Sequence, residues 1–271
     1  MNGQPPLDPA APWSLIVGWV GVWSILGALA LFVGAAFFYS AVRSEQGTKL
    51  AQRLFAFGSL GFVGAFVSLL VLFLNNQFQF LYVFNHSAAD HETQYLLAGV
   101  WSGQEGSFLL WGILAALVGA VAARSAGPYR RWFTVVYSVF LAAIAGILAF
   151  ESPFNLVPLV SESTGQTLMP PDGLGMAPSL LNYWVVIHPP TIFLGFSTLT
   201  VLFAFSMAAL LHRDAVSWIP FVRPWAILAL TVLGVGLCMG GFWAYETLGW
   251  GGFWMWDPVE NTSFVPWCVV V

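Results

Sequence analysis

Long apolar runs separated by short polar segments follow one another along the whole chain. A helix of roughly 20 residues crosses a hydrocarbon core about 30 Å thick, so each run is long enough for one crossing. Residues 264–271 begin a further apolar run. The pattern predicts an all-α, polytopic helical membrane protein with six complete transmembrane helices and the start of a seventh. The six runs lie near residues 15–40, 54–74, 106–123, 132–150, 185–211 and 225–245.

The composition indicates the same class of protein. Hydrophobic residues make up 59% of the chain, charged residues make up 7%, and the mean hydropathy is +0.81, far from soluble-domain values. No repeat, low-complexity tract or linker divides the chain, which predicts a single helical membrane domain over residues 1–271. The last run covers only about 12 Å as a helix. We therefore expect an N-terminal portion of a longer protein, in contact with membrane lipid and with no nucleic-acid partner.

The positions of the charged residues predict an orientation. All eight basic residues lie in the alternate segments 41–53, 124–131 and 212–224. Ten of the twelve acidic residues lie in the N-terminal tail and the other loops. Because basic loops remain in the cytoplasm, the N-terminus is expected outside, and so is the segment that follows the sixth run. The first helix is followed and not preceded by basic residues, which argues against a cleaved signal peptide.

The segment Trp250–Asn261, called the Trp-rich segment below, is the most informative part of the chain. It combines three tryptophans and a phenylalanine with Asp257, Glu260 and Asn261. An Asp-Pro pair is unfavourable inside a helix, and a solvated loop seldom carries so much aromatic surface. Indole rings lying flat at a membrane surface suit a large, flat, mostly apolar ligand with polar edges. We therefore predict an outer loop over residues 246–263 that binds a porphyrin.

His188, in the sequence Ile-His-Pro-Pro-Thr, is the second candidate. Proline is tolerated in the first helical turn, so His188 is expected near the cap of the fifth transmembrane helix, at the membrane surface. It could hydrogen-bond to headgroups or a neighbouring loop, or it could bind haem iron through an imidazole nitrogen. The residues alone favour neither role. The shared face with the Trp-rich segment favours the iron ligand.

Two further outward segments have polar side chains with more ordinary explanations. Residues 99–111, Gly-Val-Trp-Ser-Gly-Gln-Glu-Gly-Ser-Phe-Leu-Leu-Trp, predict an interfacial loop that caps the third transmembrane helix, with Glu105 favouring its N-terminus. Residues 85–92 contain His86 and His91 beside two carboxylates. Their spacing is weak evidence for a metal site, so we expect a solvated loop there.

At this point the chain resembles a known family. The segments WSGQEGSFLLW, IHPPTIFLGF, VRPWAI and FWAYETLGWGGFWMWDPVENTSFVPW, between about residues 99 and 267, are similar to the N-terminal part of the CcmF family of cytochrome c haem lyase subunits. The pattern WGxxWxWDP is typical of haem-handling proteins, and the continuation Val-Glu-Asn points to CcmF and its paralogue NrfE. Phe253 departs from the family, whose members often have tryptophan there, and the change removes one indole donor.

The resemblance implies a site and a reaction. His188 matches an outer-face axial ligand of haem, and a second outer histidine and the histidines of a membrane-embedded haem b would belong to helices beyond Val271. The family reaction adds the thiols of a CxxCH apocytochrome c across the haem vinyl groups, and no catalytic residue is assigned here. The residues assigned to the haem platform are Trp250, Phe253, Trp254, Trp256, Asp257, Glu260 and Asn261.

The resemblance also implies partners and a location. Haem would come from a chaperone of the CcmE type, and CcmH- and CcmI-type proteins would present the apocytochrome, at the periplasmic face of a bacterial inner membrane. A transporter or delivery component for haem is the alternative. A transporter should place ionisable residues near the middle of its helices, and the predicted spans are almost free of charge. A purely structural scaffold would not explain the tryptophans together with His-Pro-Pro.

Overall fold

The computed structural model describes residues 7–42, 44–247, 249 and 251–271, and the secondary structure of this part is helical apart from three isolated β-bridges. The predicted all-α class is therefore confirmed. Two short helices that the apolar pattern did not predict, Leu81–His86 and Thr93–Ser102, lie between the second and third long helices. The helices in the described residues are α1 (Pro12–Ala41), α2 (Glu45–Leu74), α3 (Leu81–His86), α4 (Thr93–Ser102), α5 (Gln104–Ser125), α6 (Arg130–Phe150), α7 (Trp184–His212), α8 (Ile219–Thr247) and α9 (Pro258–Val270).

Six of these helices are long and apolar enough to cross a membrane. They are α1, α2, α5, α7, α8 and α6 together with the 3₁₀ turn that precedes it, and their lengths run from 22 to 30 residues. Each one contains one of the six predicted apolar runs, and α9 is the predicted start of a seventh helix. The protein is an integral membrane protein. In such a protein every backbone polar group inside the bilayer must find an internal partner, which is why long helices dominate.

The core is built from aromatic and small side chains where α1, α2, α5, α6 and α7 meet. Phe32 of α1 is fully buried and packs edge-on against Phe55 of α2, with ring centroids 5.5 Å apart. Phe133 of α6 stacks on Tyr137 and lies 4.9 Å from Phe205 of α7. α8 packs mainly on α7 and keeps a large apolar face exposed, with only 17% of an apolar 18-residue stretch buried. Membrane lipid covers such a face without cost.

Contacts between loops define two opposite ends of the helix bundle. At one end, called the basic end, Arg131 donates to the Ser40 carbonyl (3.0 Å) and the Trp225 indole donates to Ser125 Oγ (3.3 Å). Also at this end, hydrogen bonds lower the pKa of Asp214 to about 2. The largest contribution comes from the Tyr129 hydroxyl, and smaller ones come from the N–H groups of Ser217 and Val216. The described basic residues at or near this end are Lys49, Arg53, Arg124, Arg130, Arg131, Arg213 and Arg223, and Arg43 lies outside the described residues.

The other end contains the cavity described below and is called the cavity end. Here α7 and α9 begin, α8 ends, and α4 and α5 meet. The Trp184 indole donates to Glu246 (2.7 Å) and so links the start of α7 to the last turn of α8. The Leu81 N–H donates to the Asn155 carbonyl (2.8 Å) and connects α3 to the long loop after α6. His188 and the described part of the Trp-rich segment lie at this end. Because successive long helices run in opposite directions, the full length of the bundle separates His188 and the Trp-rich segment from the basic residues.

Residues 99–111 do not form the predicted interfacial loop. α4 ends at Ser102, Gly103 interrupts the helical conformation, and α5 starts at Gln104. Glu105 lies in the first turn of α5, as predicted. The Tyr82 hydroxyl accepts the Gly103 N–H (3.0 Å), so this backbone donor between the two helices has a hydrogen-bond partner. Burial raises the pKa of this tyrosine well above its usual value. The segment is therefore a packed helix–helix junction.

The predicted solvated loop over residues 85–92 is also more ordered than expected. His86 ends α3, its ring lies 4.3 Å from the Tyr82 ring, and its Nδ1 is 2.8 Å from the Tyr82 carbonyl oxygen. The following Ser87 is fully buried, and the Ala89 N–H donates to Asp172 Oδ1 (2.8 Å). This loop thus docks on the long loop between α6 and α7 through its backbone: the Ser87 carbonyl also accepts the Gly175 N–H (3.0 Å).

Candidate functional site

A cavity of about 440 Å³ lies at the cavity end, between α7, α8 and the start of α9. The junction of α4 and α5 closes one side and the turn at Ser179 closes another. The walls are mostly apolar, with a few hydroxyls and carboxylates at the edges. That size and chemistry are typical of sites for small organic ligands, which commonly measure about 300–1,000 Å³. Among the lining residues are Trp101, His188, Trp243, Trp254, Asp257 and Glu260.

His188 is half-buried in the wall of this cavity. Its ring meets the Trp243 ring edge-on, with centroids 5.5 Å apart. A Cβ added at Gly240 would lie 3.0 Å from the imidazole Cε1, so the glycine leaves space for the ring against α8. Within the described residues, His188 Nδ1 is buried without a hydrogen-bond partner. The ring also interacts with the backbone of Gly236 on α8 and lines the cavity, so a ligand in the cavity would compete with that contact.

The predicted position of His188 in its helix is wrong by about one turn. α7 begins at Trp184, so His188 is its fifth residue, and Pro189 and Pro190 lie inside the helix and not in its first turn. Because these prolines have no N–H, the first turn of α7 lacks hydrogen bonds that an ordinary helix would form. His188 therefore lies where α7 has fewer internal hydrogen bonds and depends more on contacts with other helices.

Trp254 and Trp256 do not form a flat shelf. Their rings are edge-on to each other, with centroids 5.9 Å apart and an interplanar angle of 81°, and Phe264 packs against both. Trp254 lines the cavity, and its Nε1 is buried without a partner in the described residues. Trp256 is 66% exposed and lies outside the cavity lining. One indole thus faces the cavity and the other faces outward.

The polar residues of the Trp-rich segment hold its backbone. Asp257 caps α9: its Oδ1 accepts the Glu260 N–H (2.7 Å), while Glu260 Oε2 accepts the N–H groups of Asp257 (3.2 Å) and Met255 (2.9 Å). This reciprocal arrangement is a capping box, with Pro258 at the favoured first position. The Asn261 amide donates to the Trp256 carbonyl (3.0 Å). Trp256 has φ +60°, an unfavourable value for a bulky side chain, and these bonds stabilise it.

The predicted loop over residues 246–263 is shorter than expected. α8 continues through Thr247 and α9 begins at Pro258, so the non-helical connection ends at the Asp257 cap. Phe253 lies outside the cavity lining and stacks on Tyr245 of α8, with centroids 4.4 Å apart and planes 4° from parallel. Trp250 lies outside the described residues. Of the residues predicted for the platform, the structure brings Trp254, Asp257 and Glu260 together with His188.

Two residues at this site were missed by the sequence analysis. Glu246 Oε2 accepts hydrogen bonds from the Tyr183 hydroxyl (2.9 Å) and the Trp184 indole (2.7 Å), beside the cavity. Partial burial and the bond to Glu246 raise the pKa of Tyr183 above its usual value. Trp101 lines the cavity and donates its indole N–H to the Val185 carbonyl (2.9 Å). A lone acidic residue near the end of an apolar run, as Glu246 is, is a signal that could have been used.

Comparisons with known proteins identify the family of the chain. Residues 101–271, which include every cavity wall, match the cytochrome c assembly protein family. The cytochrome c-type biogenesis protein CcmF of Pseudomonas fluorescens is 35% identical over 251 residues, which cover 92% of this chain and 36% of that protein. The probable cytochrome c-type biogenesis protein NrfE of Escherichia coli is 35% identical over 210 residues, or 75% of this chain and 36% of that protein.

A solved structure shares the fold. The cytochrome c heme lyase CcmF superposes with a TM-score of 0.76 at 28% identity, and the match covers 99% of this chain and 42% of that one. The chain therefore belongs to the cytochrome c assembly family and is of the CcmF type. It spans about a third of the length of the curated relatives that it matches, 36% in the case of the Pseudomonas fluorescens protein.

Proposed function

We propose that this protein takes part in cytochrome c biogenesis by holding haem in the cavity between His188 and Trp254. The observation that carries the proposal is the pairing, in one cavity of about 440 Å³, of two buried nitrogen atoms without partners in the described residues. A buried polar group without a partner costs about 1–3 kcal/mol. Two such groups on residues that line one cavity therefore support a ligand there. Haem offers an iron for the imidazole and a flat apolar face for the indole.

In this proposal each wall of the cavity has a separate role. His188 binds the iron through a ring nitrogen, and imidazole is a common axial ligand of haem. Trp254 packs on the porphyrin, while its N–H is free for a polar edge. Asp257 and Glu260 act through the capping box that places Trp254, whereas Phe253, Trp256 and Asn261 support the outside of the segment. The outward Trp256 is then a contact for a protein that brings haem or receives it.

The reaction proposed follows the family resemblance. Haem is the substrate: each thiol of a CxxCH apocytochrome c adds across a vinyl group, so that a C–S bond forms and the thiol proton passes to the other vinyl carbon. No electron acceptor is needed for this addition. The contribution of the chain is to hold the haem in a fixed orientation and to exclude water from its buried face. A CcmE-type chaperone would supply the haem, and CcmH- and CcmI-type proteins would present the apocytochrome. A second, membrane-embedded haem b belongs to the proposal only for the longer protein.

The orientation of the bundle is a part of the proposal that can be tested directly. Because the basic end should face the cytoplasm, the cavity should face the periplasm of an inner membrane. A reporter that is active only in the periplasm, fused after Asn261, should be active, and the same reporter fused after Arg130 should be inactive. The reverse pattern of activities would contradict both the orientation and a periplasmic haem site.

Different effects are expected at the two tryptophans of the segment. Trp254→Ala removes a cavity wall and should abolish c-type cytochrome production, measured by haem staining of a reporter cytochrome. Trp256→Phe keeps an aromatic ring against Phe264 and should reduce production only partly. Truncating a packed aromatic can also cost about 3–5 kcal/mol of stability, so membrane levels of each variant must be measured in parallel. Normal cytochrome production by Trp254→Ala at normal protein levels would refute the cavity as the haem site.

A further inference from the structure

Pro189 leaves one carbonyl of α7 without its helical partner. In an α-helix the N–H of residue i bonds to the carbonyl of residue i−4, so Pro189, which has no N–H, frees the carbonyl of Val185. Val185 is 1% exposed, and water cannot replace the missing donor at that depth. An unsatisfied carbonyl in a buried turn is unfavourable, so another group has to donate to it.

The donor is an indole from another helix. Trp101, in the last turn of α4, donates its Nε1–H to the Val185 carbonyl at 2.9 Å. The bulk of the proline ring pushes the i−4 carbonyl away from the helix axis, which opens it to a donor from the side. The two residues are 84 positions apart in the chain. This bond joins the α4–α5 junction to the first turn of α7.

The bond also fixes the part of α7 that carries His188. Val185 and His188 are three positions apart, so their side chains lie on neighbouring positions of one helix face. Trp101 and His188 both line the same cavity. On the opposite side the His188 ring rests against Gly240 and Trp243 of α8. The geometry points to Trp101 as a positioning residue: its indole N–H satisfies the carbonyl that Pro189 leaves free and so holds His188 against the cavity.

A double-mutant cycle tests the bond. Its readout is the haem retained by the protein, and the inference rests in this respect on the proposed function, in which His188 binds haem iron. Trp101→Phe keeps an aromatic wall and removes the N–H, whereas Pro189→Ala returns an N–H to the helix, which can then bond to Val185 internally. In the full-length protein produced with its maturation system, Trp101→Phe should lower the haem retained after purification by about tenfold. Trp101→Phe combined with Pro189→Ala should retain haem within about twofold of the Pro189→Ala protein.

The control is Trp225→Phe, which removes a comparable indole donor at the basic end, where Trp225 bonds to Ser125. This variant should retain haem as the unmodified protein does. Equal losses from Trp101→Phe in the presence and absence of Pro189→Ala would overturn the inference. So would a complete loss of haem in Pro189→Ala alone, because alanine should satisfy the Val185 carbonyl from within the helix.

A second readout uses protein produced without haem, because a cysteine at position 188 can itself bind haem iron. His188→Cys, in a protein whose exposed cysteines are removed by Cys238→Ser and Cys268→Ser, gives a thiol at the cavity wall that a maleimide can label. Adding Trp101→Phe should raise the labelling rate several-fold, and adding Pro189→Ala as well should lower it again. An unchanged labelling rate would overturn the positioning role even if haem were lost. If labelling follows this pattern but the protein with His188 never retains haem, the proposed function is refuted and the positioning role stands.

Discussion

Replacing His188 with alanine should abolish haem retention and c-type cytochrome production, the largest effect expected of a side-chain change at this site. The imidazole is the group in the cavity best suited to bind iron, and its Nδ1 has no hydrogen-bond partner in the described residues. The measurement is the visible spectrum of the purified full-length protein together with the yield of a reporter cytochrome. Millimolar imidazole added to the alanine variant should restore part of the haem spectrum, because the truncation leaves space for a free ligand.

Other substitutions separate an iron ligand from a hydrogen-bonding residue. His188→Cys and His188→Met should keep some haem with a shifted spectrum, since sulfur also binds haem iron. His188→Gln should fail, although it can hydrogen-bond. His212→Ala is the matched control, because His212 ends α7 at the basic end beside Tyr129 and should have no effect on haem. Normal cytochrome production by the glutamine variant would rule out iron binding by His188.

Gly106→Ala should prevent the protein from accumulating in the membrane. A Cβ at this position would lie 1.8 Å from the Val100 carbonyl oxygen and 2.3 Å from the Tyr82 hydroxyl. The nearest atom belongs to the backbone and cannot rotate away, so the cost should exceed the roughly 1–3 kcal/mol of ordinary overpacking. The α4–α5 junction would have to open, and with it the wall that contains Trp101. Membrane abundance and thermal unfolding in detergent measure the effect.

Gly146→Ala provides the control for that change. Gly146 lies inside α6, and among the described residues no heavy atom other than its own helix backbone and chain neighbours lies within 4 Å of an added Cβ. Alanine is favoured over glycine in a helix by about 0.5–1 kcal/mol, so this variant should be as stable as the original protein or slightly more stable. Equal thermal stability of the two variants would show that the α4–α5 junction is less tightly packed than the structure indicates.

The long helices were predictable because the bilayer sets one requirement that is strong and local. A run of about 20 apolar residues is sufficient to predict a crossing, whatever it packs against. The existence of α9 was predicted from the apolar run after residue 263, but its start was missed. Asp257 followed by Pro258 suits the first positions of a helix, whereas the loop was predicted to run to residue 263. His188 was also singled out from local sequence, through the double proline and the predicted topology, and the structure places it in the cavity wall.

The contacts between distant segments were not predictable in the same way. Nothing near Trp101 shows that its indole donates to Val185, although the missing N–H of Pro189 indicates that the Val185 carbonyl needs some donor. The capping box uses the carboxylates of Asp257 and Glu260, which the motif alone suggested as ligand contacts. The perpendicular rings of Trp254 and Trp256 depend on Phe264 and on the positive φ of Trp256, which sequence spacing does not reveal.

The walls of the cavity are far apart in the chain, and this sets the order in which the site forms during synthesis. Trp101 and the α4–α5 junction are made first, His188 follows with α7, and Trp254 comes only after α8. The ribosome therefore releases the iron-binding candidate into the membrane before the indole that faces it exists. A nascent chain cannot enclose a ligand between these two residues until the first turn of α9, with its Asp257 cap, has been translated.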